Sequence, residues 1–228
     1  MIPVRAALLA IVSIFLQSPA HASIVLSQVV LDILPNADAA HDIEIANDGV
    51  DVAYVVIEPS EITAPGQASE ARVPIVDPGV GGLLVSPQRL VLQPGERRSI
   101  RIAAVLPRAS FDRIYRVTVK PVAGSVTAPV TALKLLVGYD VLVIYRPAQM
   151  DAEVKAERSG STLTLRNVGN TNAELVDGRQ CPSVESSACK ELPSKRLYAG
   201  QAWHQVLPSE GPVTYRVVVA TSSRNQQF

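Results

Sequence analysis

The sequence predicts an all-β chain of two Ig-like β-sandwich domains joined by a short hinge. Three observations carry this prediction. Helical periodicity is scarce. Short β-branched runs recur instead, between clusters of Gly, Pro, Asn and Asp at the spacing of a sandwich. A proline-bearing break, Arg146-Pro147-Ala148-Gln149, divides those runs into two groups. The length of 228 residues fits one large or two small domains, and 47% apolar residues suffice to fill real cores. The content of 13 glycines and 17 prolines suits a turn-rich chain, while aromatics are scarce at 4%.

Residues 1–22 read as an export signal rather than as fold. Arg5 supplies the positive start, Ala6–Leu16 the apolar run, and Ala20-His21-Ala22 a small-x-small cleavage site. A membrane anchor would need ~20 apolar residues, and this run is far shorter. No later segment reaches spanning length without a charge or a proline, so the chain from Ser23 onward is expected to be soluble, with no membrane insertion. The whole chain balances 21 basic against 21 acidic residues at pI 6.8, and loss of Arg5 leaves one net negative charge. That balance argues against a nucleic-acid partner, because neutralising phosphates needs a clustered basic excess.

The first domain, 23–146, reads as a series of short strands. Ile24–Leu34 is apolar but changes parity near Gln28, which predicts a kinked or bulged first strand. Asp42–Ala46 stops at Asn47-Asp48-Gly49, and Val52–Ile57 stops before Pro59. Gly79-Val80-Gly81-Gly82 reads as a turn. Leu83–Val85 and Arg89–Leu92 precede the turn Gln93-Pro94-Gly95-Glu96, and Ser99–Val105 follows with Ile100 and Ile102 inward. Ile114–Lys120 alternates cleanly, Tyr115, Val117 and Val119 on one face and Arg116, Thr118 and Lys120 on the other.

Val130–Tyr145 is expected to form one strand far longer than the usual ~5–6 residues. Its odd positions, Leu133, Leu135, Val137, Tyr139, Val141 and Val143, are all apolar. It reads either as a central strand with both faces partly covered, or as a strand that lends its edge to a partner.

The second domain, 147–228, repeats the style with Glu153–Glu157, Thr162–Arg166, Ala173–Val176, Lys195–Tyr198, Ala202–Val206 and Thr214–Ala220. Its polar tail, Ser222–Phe228, is expected to fray. Cys181 and Cys189 are the only cysteines, and export permits a disulfide between them. Zinc is the weaker reading, since no His or second cysteine pair lies nearby.

Catalytic chemistry finds no support. There is no G-x-S-x-G elbow, and the glycine run at 79–82 lacks the Lys-Ser/Thr of a phosphate loop. Nothing singles out a carboxylate pair for glycoside hydrolysis. The chain is expected to be no enzyme and to need no cofactor or metal.

Several motifs in order resemble one family. Gly81-Gly82-Leu83-Leu84-Val85-Ser86-Pro87-Gln88-Arg89-Leu90-Val91-Leu92-Gln93-Pro94-Gly95, then Ser99-Ile100-Arg101 and Tyr115-Arg116-Val117, are similar to the first domain of the periplasmic pilus chaperones of the chaperone–usher pathway. Ile144-Tyr145-Arg146-Pro147 resembles the end of that domain and its hinge. Leu163-Thr164-Leu165-Arg166-Asn167-Val168-Gly169-Asn170, followed by the cysteine pair, resembles the alternate, alpha-fimbrial branch.

The resemblance implies two sandwiches set at an angle and a chaperone that binds pilins whose own fold lacks its last strand. The last strand of the first domain would enter the subunit's open groove, keeping it folded for delivery to an outer-membrane usher. The implied donor residues are Leu133, Leu135, Val137 and Tyr139. The family holds the subunit's terminal carboxylate with two basic residues in the interdomain cleft. Here the matching positions are Leu142 and Val30 or Leu31, and no Lys or Arg occurs between Ser23 and Asp51. Arg116 is the substitute candidate, with Lys134 and Lys120 behind it. Arg146 resembles the family's interdomain salt-bridge arginine, with Asp112 as partner. The competing reading is a secreted two-domain structural or adhesion module of a surface fibre. Self-association of the free protein is left open.

Overall fold

The computed structural model describes residues 24–122, 136–182 and 188–228. The export signal lies outside the described residues, as do Leu133, Lys134 and Leu135 of the expected long strand and positions 183–187 of the cysteine loop.

The first body pairs two sheets. One runs in the order β1 (Val25–Leu26), β3 (Ala40–Ala46), β8 (Arg97–Ala104), β6 (Leu83–Ser86). The other runs β2 (Val30–Ile33), β10 (Tyr139–Tyr145), β9 (Arg113–Val122), β4 (Ala53–Thr63), β5 (Ala71–Pro74), with β7 (Arg89–Leu92) also on β4. The parity change near Gln28 is where the chain leaves the first sheet, as β1, and joins the second, as β2. The two inner faces meet in one core that includes Ile33, Ile43, Ile57, Ile100, Val117 and Val143. Alternation in β9 is as the sequence predicts: Tyr115, Val117 and Val119 are fully buried, and Arg116, Thr118 and Lys120 face outward.

The second body also pairs two sheets. One is β11 (Val154–Ser159), β12 (Thr162–Asn167), β16 (Ala202–Val206); the other is β14 (Lys190–Leu192), β13 (Ala173–Gln180), β17 (Val213–Val219), β18 (Ser222–Gln227), with β15 (Lys195–Leu197) on β13. Its core centres on Leu165, Leu175, Val217 and Tyr215, and Trp203 meets Tyr215 edge-on at 6.2 Å.

Several expectations are corrected. Pro59 does not end β4, which runs on to Thr63. Its carbonyl accepts from the Ile75 amide at 3.0 Å, on the side where β7 gives way to β5, so the missing N–H falls where no ladder bond is needed. The glycine run at 79–82 is more than a turn. Pro78–Gly81 is a one-turn helix, α1, started by the Asp77 carboxylate on the Gly79 amide and stopped by Gly82 at φ +85°. The tail does not fray: Ser222–Gln227 pairs with β17 along its length, and Phe228 packs on the second core. The long strand begins only at Tyr139, and Leu136, Val137 and Gly138 lie outside any strand.

The two bodies share a device that neither sequence half advertises. Asn47 and Asn167 each end a strand two residues before a glycine, and both are buried. The Asn47 amide nitrogen donates to Asp51 and Leu92 carbonyls at 2.8 and 3.0 Å, and that of Asn167 donates to Thr171 and Leu197 at 2.8 and 2.9 Å. In each, the side-chain oxygen accepts from the glycine amide at 3.0 Å. One side chain thus satisfies a turn and ties it across the sandwich.

Cys181 and Cys189 are joined in a disulfide. It sits just beyond the last pair of the β13–β14 hairpin, Gln180 with Lys190. Closing so short a loop stabilises by about 2.5 kcal/mol on chain-entropy grounds. The double variant Cys181→Ser/Cys189→Ser should lose about that much in urea unfolding, and reducing agent should produce the same shift in the native protein but none in the variant.

Candidate functional site

β10 carries the site. Its amide at Leu142 donates to the Val29 carbonyl at 2.9 Å, so β2 covers one flank of β10 from Leu142 to Tyr145. On the other flank β9 pairs with all of β10, Tyr139 through Tyr145. The two-residue period therefore turns the backbone of Asp140 toward β2's side. There, among the described residues, no strand stands beside Tyr139–Val141. β10 thus has an open edge at the end where the chain leads back toward 123–135.

Of the implied donor residues, Val137 and Tyr139 are described. Val137 is about half exposed. Tyr139 turns inward with Val141 and Val143, packs against the first core, and donates its hydroxyl to the Ile24 carbonyl at 3.0 Å. The even positions face the other way. Leu142 and Ile144 form a small apolar cluster with Ile114 and Ile62, closed by Tyr198 from the second body.

That outer face is the cleft. Leu142 and Val30 are direct partners in the parallel pairing of β10 with β2, so the two positions matched to the family's basic pair stand side by side, both apolar. Burial pushes the Tyr198 phenol upward in pKa, against the opposing pull of Arg116 and Arg196, which places Arg116 close to the second body's contribution. Gln201 closes the same region: its side chain accepts from the Tyr198 amide at 3.0 Å and lies where a side chain at Gly66 would need to be. The φ of +72° at Gly66 suits glycine there in any case.

Arg116 pairs across to Leu142 on one side and Ser60 on the other. Its guanidinium lies 3.8 Å from the Asp140 carboxylate and donates to the Asp140 carbonyl at 3.3 Å. Arg72, from the edge strand β5, grips the same carboxylate at 2.6 and 3.3 Å. The Thr118 hydroxyl accepts from Arg72 at 2.7 Å and donates to Asp140 at 3.0 Å. Burial alone would raise the Asp140 pKa, but the hydrogen bonds from Arg72 and Thr118 and the charges of Arg72 and Arg116 outweigh it, so the carboxyl stays below the ordinary aspartate value. Lys120 is occupied by Glu58 at 2.7 Å.

Arg146 binds the two bodies together. It is 1% exposed and makes a two-pronged bond to Asp32, 2.7 Å on each arm. Its remaining arm donates to the Thr171 hydroxyl at 2.6 Å and the Asn172 carbonyl at 3.1 Å. Asp112, the partner expected from the sequence, lies 4.0 Å from Arg146. Asp112 instead accepts from Thr171, the Asn172 amide and the Asn172 side chain at 2.6–2.7 Å. The nearer partner, Asp32, went unremarked in the sequence. Its signal was there: it is the single charge in the apolar stretch from Ser23 to Pro35, and a charge in such a strand calls for a partner.

Known proteins place this architecture. No family model matches the sequence. The probable fimbrial chaperone EcpE of Escherichia coli K12 is 33% identical over 132 residues, 55% of this chain and 53% of EcpE. A protein of the CS1 fimbriae of Escherichia coli is 25% identical over 171 residues, covering 71% of both chains. The class 5 fimbriae chaperone CfaA superposes with a TM-score of 0.67 over 90% of this chain and 98% of its own, at 20% identity.

By sequence kinship and by fold, this chain is one of the pilus chaperones.

The matched stretch spans about half of EcpE's length. The pilus-chaperone fold covers nearly the whole described chain, and the same fold appears in complexes with client subunits. One is the chaperone CsuC with the tip adhesion subunit CsuE of Acinetobacter baumannii, TM-score 0.62 at 13% identity; another is SafB with the Salmonella enterica pilin SafA, TM-score 0.61 at 14% identity. These neighbours favour a chaperone over a structural module of the fibre. No helix among the described residues is long and apolar enough to cross a membrane.

Proposed function

We propose that this protein is a periplasmic chaperone that holds pilin subunits by lending the edge of β10 and the residues leading into it, and that passes them to an outer-membrane usher. The observation that carries this is the open flank at Tyr139–Val141. A strand whose edge is unpaired among the described residues is a ready template for another chain. Backbone pairing supplies binding with little demand on the partner's sequence, and alternate side chains supply fit. Leu133, Leu135, Val137 and Tyr139 share one parity with the inward residues of β10, so they are the side chains assigned to the subunit's groove.

Arg116 is the residue assigned to the subunit's terminal carboxylate. It stands beside the apolar Val30–Leu142 pair, next to Tyr198, and its pairing with Asp140 at 3.8 Å is loose enough to leave donors available. Arg146, Asp32 and Asp112 are assigned a structural role, setting the second body against the first.

Co-expression with a candidate pilin tests this reading. A one-to-one periplasmic complex is the expected outcome, and Arg116→Ala should weaken it on the order of tenfold, the worth of one charge-assisted hydrogen bond. Recovery of the protein in sheared surface fibres, with no pilin bound in the periplasm, would favour the structural-module reading.

A further inference from the structure

We propose that Asp140 is a built-in stand-in for the client's carboxylate: it keeps Arg72 and Arg116 posed at the end of the open edge and yields Arg116 when a subunit's C-terminal carboxylate arrives. This rests on the chaperone function proposed above and names how its anchoring site is kept ready.

The geometry supports it in three ways. First, β2 takes over the flank of β10 at Leu142, so a partner strand laid along the open edge must stop near Asp140. A strand that has to stop there is best a strand that ends, and a chain end brings a carboxylate. Second, that point already holds a carboxylate on two guanidiniums and a hydroxyl, at 2.6 Å from Arg72, 3.8 Å from Arg116 and 3.0 Å from Thr118. Two cations share one anion, so the group retains one unit of positive charge for a second anion. Third, the two arginines are held unequally. Arg72 makes the short two-pronged contact, whereas Arg116 touches Asp140 by its backbone carbonyl at 3.3 Å and is the one placed beside Tyr198 in the cleft. The incoming carboxylate takes Arg116, and Asp140 stays with Arg72 and Thr118.

Asp140 thereby competes with the client for Arg116 while preventing the guanidinium from collapsing onto Glu58 or Glu61, the other carboxylates reaching across this sheet. The competition sets how firmly a subunit is held, which matters for a protein that must release its client.

The test is a thermodynamic cycle on a pilin that the wild-type protein retains, measured with its native C-terminus and with two glycines appended. Asp140→Asn should bind the native terminus about three- to fivefold tighter, the worth of one partly exposed charge pair. It should leave the extended terminus unchanged. In an Arg116→Ala background the same substitution should have no effect on either form. If Asp140→Asn binds the native terminus no tighter, the inference is overturned. It is overturned equally if the gain persists without Arg116, since that would be a general charge effect. If the wild type retains no pilin at all, the chaperone reading falls first and this inference with it. A retained pilin with no response to Asp140→Asn removes the inference alone.

Discussion

Arg146→Ala is expected to destabilise the protein by about 3–5 kcal/mol, the cost of leaving a buried ion pair with one partner. The magnitude follows from what the guanidinium touches. Asp32 loses both of its hydrogen bonds to Arg146, Asp112 loses its nearest cation, and the Thr171 hydroxyl and Asn172 carbonyl lose a donor. Arg146→Lys should recover part of the loss and no more, because an ammonium cannot span the Asp32 carboxylate with two parallel bonds while reaching Thr171. Urea unfolding followed separately through Trp203, which belongs to the second core, should show that body loosening first. A loss below about 1 kcal/mol, the range of exposed ion pairs, would mean that the two bodies are held by the apolar cluster around Tyr198 instead.

Leu135→Asp should abolish retention of a pilin while leaving the protein folded. Each aliphatic side chain buried in a subunit's groove contributes roughly 1.5–3 kcal/mol. Replacing the leucine removes that contribution and adds the cost of desolvating a carboxylate with no partner, several kcal/mol more. Together these weaken binding on the order of a thousandfold or more. Size-exclusion chromatography of the periplasmic fraction reads the complex directly, and circular dichroism with an intact disulfide reads the fold. A folded Leu135→Asp protein that still carries its pilin would contradict the assignment of the donor residues.

The sandwich cores were readable because alternation survives wherever one face is buried. Ile114–Lys120 shows this, as do Ile100 and Ile102 in β8 and the run Val213–Val219. What escaped was structure held by backbone pairing alone. Ser222–Gln227 is polar and exposed, and its two-residue turn, Ala220-Thr221, lacks the glycine or asparagine that usually marks a hairpin, although Ala220 adopts φ +51°. Ala71–Pro74 is exposed at every position, so its pattern carried no sign of β5. Pro59 misled because the rule against proline inside a sheet assumes a neighbour on the proline's N–H side.

The candidate site divides in the same way. The motif order and the apolar odd positions were legible, as were the absence of a basic pair in the cleft and the bridging role of Arg146. The direct pairing of Val30 with Leu142, the grip of Arg72 on Asp140 across three strands, and the preference of Arg146 for Asp32 are contacts between residues far apart in the chain. Only the fold brings them together.

Amide hydrogen exchange at Asp140, with and without bound pilin, tests the central claim most directly. That amide points to the flank of β10 left open below Leu142, so it should exchange freely in the lone protein, and pairing with a subunit's strand should protect it strongly. The Val141 amide, already bonded on the β9 side, should change little. Protection at Asp140 on binding is the result predicted here. A stable complex in which Asp140 exchanges as fast as in the free protein would mean that the subunit is held elsewhere, and that the open edge of β10 is not where this chaperone works.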